Sequence, residues 1–107
     1  MEQKIINYLE TLKYGNYEYI KITDSTTLGI IYQLLINNKS NLKETDVIKN
    51  PILCYYYDIY YYKYLSFKIN DKIKNYFKIA FDNGINEAMY ILGYYYYENY
   101  KDEKMKK

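Results

Sequence analysis

Gly84-Ile85-Asn86-Glu87-Ala88-Met89-Tyr90-Ile91-Leu92-Gly93-Tyr94-Tyr95-Tyr96 is the stretch on which the fold is decided. The spacing of Gly84, Ala88, Leu92-Gly93 and Tyr96 sets small residues and one aromatic on or near a single face of a helix. A glycine inside a helix costs about 1 kcal/mol relative to alanine, so Gly93 is expected where another helix comes close. The chain contains two alanines, Ala80 and Ala88, and both fall at small positions of this unit. Two helices joined at Gly84, burying one face against neighbouring units, are therefore expected.

The helix before Gly84 is the most regular pattern in the chain. Ile73, Tyr76, Phe77, Ala80 and Phe81 form an apolar stripe from Lys72 to Asn83, while Lys72, Lys74, Asn75, Lys78 and Asp82 fill the other side. Asn70-Asp71 supplies an N-cap, and Gly84 stands where a left-handed C-terminal residue is wanted. The helix after it is predicted over Asn86 to Asn99, with Asp102 opening a further helix.

Working back, Asn50-Pro51 marks a helix start, because proline suits the first helical position and asparagine the cap before it. Ile52 to Phe67 is apolar almost all round and predicts a central helix about 24 Å long. Tyrosine also favours strands, but the flanking helical units favour a helix. A short helical turn is expected within Leu42 to Lys49, around Val47 and Ile48. Asn37 to Asn41 reads as a loop, and Thr26 to Asn37 as a helix capped by Asp24-Ser25, its face being Leu28, Ile31, Tyr32 and Leu35. Glu2 to Lys13, with Ile5, Ile6, Leu9 and Leu12, is a first amphipathic helix closed near Gly15. Tyr17 to Ile22 reads as a short helix or an irregular extension.

These residues resemble the Sel-one-like repeat, a relative of the tetratricopeptide repeat. The matching positions are Tyr76-Phe77, Ala80, Gly84, Ala88, Leu92-Gly93 and Tyr96, with Asp102 and Lys104 similar to the family's opening of its next helix. Leu53-Cys54 with Tyr57, and Leu28-Gly29 with Tyr32, echo the same local spacing, although Cys54 replaces the glycine and Lys49 the small residue. The resemblance implies an all-α fold, a short α-solenoid of antiparallel helix pairs with about five to six helices. It implies one domain over residues 1–107. Residues 1–49 would be degenerate N-terminal helices, 50–83 a helix pair, and 84–107 the best-matching repeat, cut off at its second helix. In such solenoids the first helix of each pair lines a groove, which makes Tyr90, Tyr94 and Tyr97 the partner-binding candidates. Tyr76, Phe77, Ala80, Gly84, Ala88, Leu92, Gly93 and Tyr96 are the repeat-packing positions. The tyrosine-rich style is similar to that of repeat proteins encoded by AT-rich genomes such as those of giant DNA viruses.

Composition narrows the function. Of 107 residues, 19 are Tyr, none is His, Trp or Arg, and every basic residue is Lys. Lys, Asn, Ile and Tyr all have codons made of A and T alone, so genome bias accounts for much of this. Without histidine there is neither a Ser-His nor a Cys-His nucleophile pair and no imidazole metal ligand. Cys54 reads as a small buried residue, and Glu44 with Asp46, or Asp102 with Glu103, as cap and surface charges. Gly15, Gly29, Gly84 and Gly93 are isolated and make no phosphate loop. Neither enzyme, metal nor cofactor is expected.

A net charge of +2 is small, which disfavours a nucleic-acid partner. The Lys101 to Lys107 tail holds the one local basic excess. No apolar run is long enough for a membrane span, no secretory signal pattern opens the chain, and a single cysteine fits a reducing cytoplasm. The expected function is a scaffold that binds another protein. A self-associating structural protein, such as a virion component, is the alternative, and a single-stranded nucleic-acid binder ranks third.

Overall fold

Asn50 and Pro51 open the helix on which the others pack. The computed structural model describes residues 2–37, 42–66 and 68–105. These form α1 (Glu2–Lys13), α2 (Ser25–Ile36), α3 (Glu44–Val47), α4 (Pro51–Tyr60), α5 (Asp71–Asp82) and α6 (Glu87–Met105), with no strand among the described residues. The fold is all-α. No helix among the described residues is long and apolar enough to cross a membrane.

Local chemistry explains the boundaries. The Asn50 side chain accepts the Ile52 amide at 2.8 Å, and its own amide donates to the Leu12 and Asn16 carbonyls at 3.0 and 3.1 Å. One buried side chain thus caps α4 and pins the end of α1. Asp24 accepts the Thr27 amide at 2.8 Å, and Asn70 accepts that of Ile73 at 2.8 Å. Gly15 and Gly84 have φ of 107° and 98°, the left-handed region that glycine enters most cheaply. Around Gly84, the Ile85 amide donates to the Ala80 carbonyl and the Gly84 amide to that of Phe81, both at 3.0 Å. This is a Schellman closure, and Ile85 is buried as its hydrophobic contact.

Pro51 to Ile59 is buried at every position, as expected of a helix apolar on all sides. α4 contacts α1, α2, α3 and α5, while α6 rests on α5. Tyrosine rings fill the space between helices. Tyr32 lies 5.1 Å from Tyr57 and 5.2 Å from Tyr60, and Tyr57 lies 5.5 Å from Tyr76, as measured between ring centroids. Such tilted and edge-on pairs suit the ring quadrupole.

The structure departs from the sequence reading in two places, the end of α4 and the course of α6. The predicted helix over Ile52 to Phe67 changes at Tyr61 into a π-helical stretch, Tyr61–Ser66. An element apolar all round carries no phase that would reveal such a widening. Of the two readings of Tyr17 to Ile22, the structure has the irregular extension, over residues 16–24. The short helical turn expected within Leu42 to Lys49 is α3, with Val47 buried and Ile48 exposed. Finally, α6 continues through Asp102, where a second helix was expected to start. Asn38 to Asn41 of the predicted loop, Phe67 and Lys106-Lys107 lie outside the described residues, as do the side chains beyond Glu98.

Candidate functional site

The joint between α5 and α6 follows from its small residues. Ile73, Tyr76, Phe77 and Ala80 are buried on α5, and Ala88 and Leu92 on α6. Ala80 and Ala88 are both fully excluded from solvent, so the two helices meet where no side chain extends past Cβ.

Gly93 and Tyr96 behave differently from the expectation of tight packing. A Cβ added to Gly93 would meet nothing within 4 Å, and Tyr96 is 53% exposed. Helical phase gives the reason. Seven residues from Ala88 bring Tyr95 within about 20° of it, whereas the eighth, Tyr96, lies about 80° away. Tyr95 is accordingly the half-buried ring, with the Lys74 ammonium 5.9 Å from its centroid. The glycine that a neighbour does crowd is Gly29, where a Cβ would approach the Tyr60 ring to 3.3 Å.

Gly93 and Tyr96 instead line an open groove of about 310 Å³ with Lys78, Phe81, Met89 and Leu92. Phe81, at the end of the α5 stripe, is half out of the core for the same reason.

The opposite side of α6 carries Tyr90, Tyr94 and Tyr97, which are 75%, 56% and 60% exposed. Their spacing of four and three residues makes one stripe. The structure thus places these candidates together on the solvent side, away from Ala88 and Leu92. Tyr90 also borders a cleft of about 360 Å³ that reaches back to Tyr19, Tyr55 and Glu87.

Two further features, one in the core and one near the surface, have chemistry that composition did not disclose. Asp58 is fully buried, and neither carboxyl oxygen has a hydrogen-bond partner. Desolvation pushes its carboxyl up to about 9, against the partial relief of the Phe77 backbone and Lys72. It is the single charged residue from Pro51 to Tyr60, which is the signal that could have drawn attention to it. Glu44 pairs with Lys72, and both meet the Tyr57 hydroxyl. The bond from Lys72 holds the Glu44 carboxyl below its ordinary range, and the same bond raises the ammonium of Lys72.

Cys54 is buried with Sγ 3.0 Å from the Val47 carbonyl, and burial pushes its thiol up to about 12. A thiol so held is a poor nucleophile. Among the described residues, no group of three or more Cys, Asp or Glu side chains is placed to hold a metal ion.

No protein-family model matches the chain, and no curated protein or solved structure matches it.

Proposed function

We propose that this chain is a non-enzymatic helical-repeat module that binds another protein through the outer face of α6. The observation that carries the reading is the exposed stripe of Tyr90, Tyr94 and Tyr97 on a helix whose opposite face is seated on α5. Tyrosine contributes large contact area and a hydroxyl at low entropic cost, and contiguous exposed rings mark contact surfaces. The order of contacts supports the solenoid arrangement. α1 meets α2, α2 meets α4, α4 meets α5, and α5 meets α6, so each helix packs on the next, apart from the short turn α3. The likeness of residues 71–104 to Sel-one-like repeats points the same way. A buried, unreactive thiol suits a reducing cytoplasm, that of the host if the chain is viral.

The test is affinity capture with Tyr90, Tyr94 and Tyr97 all changed to alanine, combined with hydrogen exchange on the wild-type complex. Loss of the captured protein, with slowed exchange along α6, is the expected result. Retention of every specific partner by the triple variant overturns it.

The groove beside Gly93 supports a second reading, self-association through Phe81, Met89 and Tyr96. It requires a defined oligomer in sedimentation, and a monodisperse monomer at tens of micromolar eliminates it.

A further inference from the structure

Five phenol rings form an unbroken row through the fold. Tyr64 in the π-helical stretch lies 5.2 Å from Tyr60 at the end of α4, and Tyr60 lies 5.2 Å from Tyr32 on α2. Tyr32 lies 5.1 Å from Tyr57 on α4, and Tyr57 lies 5.5 Å from Tyr76 on α5, all measured between ring centroids. The row starts at the surface, where Tyr64 is exposed, and runs inward to the buried rings of Tyr32 and Tyr57. The rings around Tyr19 and Tyr56 make a separate set, and among the described residues no ring contact joins the two.

Rings this close exchange an electron readily, but a phenol proton moves only along a hydrogen bond. A phenol that has lost an electron is a strong acid. An oxidised ring therefore comes to rest where its own hydroxyl already faces a base. Tyr57 meets that condition: its hydroxyl donates to Glu44 Oε1 at 3.1 Å, within reach for proton transfer. Lys72 fixes the acceptor by donating to the same carboxylate oxygen, and it also donates to the Tyr57 oxygen at 3.2 Å. Tyr8 and Tyr56 donate to backbone carbonyls, which are far weaker bases. Tyr19 has the Glu87 carboxylate as a partner, but it belongs to the other set of rings.

We propose that this row is a one-electron redox site, in which a diffusing one-electron oxidant of the carbonate-radical class acts at Tyr64 and the radical comes to rest on Tyr57. The electron leaves Tyr57 through Tyr32 and Tyr60 to Tyr64 and reduces the oxidant to its anion. The Tyr57 O–H bond breaks and its proton passes to Glu44. The products are a neutral Tyr57 phenoxyl, a neutral Glu44 carboxylic acid and the reduced anion. Return of one electron, with the proton from Glu44, restores the phenol. Because the Tyr57 ring is buried, its radical is shielded from coupling with another molecule and should outlast one formed on exposed Tyr90 or Tyr94. The site is independent of the protein-binding face on α6.

The test is flash oxidation of the full chain by photogenerated ruthenium(III) tris-bipyridine, with a cobalt(III) ammine as electron acceptor. Tyrosyl radical decay is followed optically and by freeze-quenched high-field EPR. A fast phase from exposed rings and a slow phase from Tyr57 are expected. Tyr57→Phe should abolish the slow phase, Tyr32→Phe should lower its yield, and Tyr19→Phe should leave it unchanged. Glu44→Gln, which keeps the rings but offers a much weaker base, should shorten the slow phase roughly tenfold or more. A slow phase that survives Tyr57→Phe or Glu44→Gln, or that vanishes with Tyr19→Phe, overturns the proposal. So does its absence from the wild type. The wild-type EPR spectrum needs no variant: the slow species should show the lowered g value of a phenoxyl oxygen held by an ammonium, here that of Lys72. The g value of a free phenoxyl would equally overturn it.

Discussion

The Tyr8 and Tyr56 hydroxyl oxygens lie 3.0 Å apart, yet each hydroxyl proton is already directed to a carbonyl. Tyr8 donates to Glu18 and Tyr56 to Ile20, and the Ile20 amide returns a bond to the Tyr8 hydroxyl. The close approach of the two oxygens is therefore enforced by the chain that both of them hold. This pair is what keeps residues 16–24 against the helices without regular structure of their own. Changing Tyr56 to Phe should cost about 1–2 kcal/mol, the range for a hydrogen bond whose partner is left without a donor. Amide exchange in residues 18–22 should quicken more than in α5. Uniformly unchanged exchange there would show that the segment is held by other means.

Asn50 makes a different kind of anchor, since one side chain serves both ends of a boundary. Asn50→Ala removes the α4 cap and the donor to the Asn16 carbonyl, and leaves the Leu12 carbonyl with the Gly15 amide alone. The expected loss is about 2–4 kcal/mol, combining a cap of ~1 with one acceptor left without a donor at ~1–3. Asn50→Asp keeps the cap acceptor but can no longer donate, so it should recover little. Urea unfolding of the two variants decides the matter: near-equality of Asn50→Asp with wild type would refute the double role.

For Asp58 the sign of the pH dependence follows from its environment. Its folded value, about 9, lies above that of an unfolded aspartate, so the neutral acid is what the core accepts. Its contribution is therefore full below the ordinary aspartate range and is lost as pH rises toward 9, by up to about 1.4 kcal/mol per unit. Asp58→Asn removes this titration. The stability difference between variant and wild type should widen in favour of the variant from pH 5 to pH 9. A difference that stays flat over that interval would mean that Asp58 ionises freely.

The Glu44–Lys72 pair sits nearer the surface, with side chains 45% and 47% exposed. Solvent screening limits it to below about 1 kcal/mol despite its short contact. Because the Glu44 carboxyl is held low, what stability it adds is present above the ordinary glutamate range and disappears as pH falls through its folded value. Lys72→Gln should therefore cost little at pH 7, and less still in 1 M salt. A loss of several kcal/mol would instead identify the rings of Tyr57 and Tyr76, over which the ammonium lies, as the true beneficiaries.

What could be read in advance depended on how local each signal was. Asn50-Pro51, Asn70 and Gly84 act on the backbone within a few residues, and each sits in the structure where its chemistry requires. The stripe Ile73, Tyr76, Phe77 and Ala80 was equally plain because its far side is polar. Phase failed where the pattern has no polar side. The four consecutive tyrosines from Tyr94 to Tyr97 cannot reveal which ring turns inward, and Gly93 carries no mark to show whether a neighbour exists. Asp102 looks like a cap because an acid near a predicted helix end has the same signature whether the helix stops or continues. The cleft was least visible of all, since Tyr19, Tyr55 and Glu87 belong to three segments that no sequence period connects.

The position of α4 has a consequence for how the chain is made. Its buried faces serve α1, α2 and α3 before it and α5 after it. α1 and α2 have 12 residues each, near the limit at which an isolated helix is marginal in water. During synthesis they emerge before the surface that shelters them exists, and Leu9, Ile31 and Leu35 remain wet until residues near 60 leave the ribosome. Chaperone contact with the nascent chain should thus be heaviest over roughly its first half and fall away once the Asn50–Tyr60 segment is free.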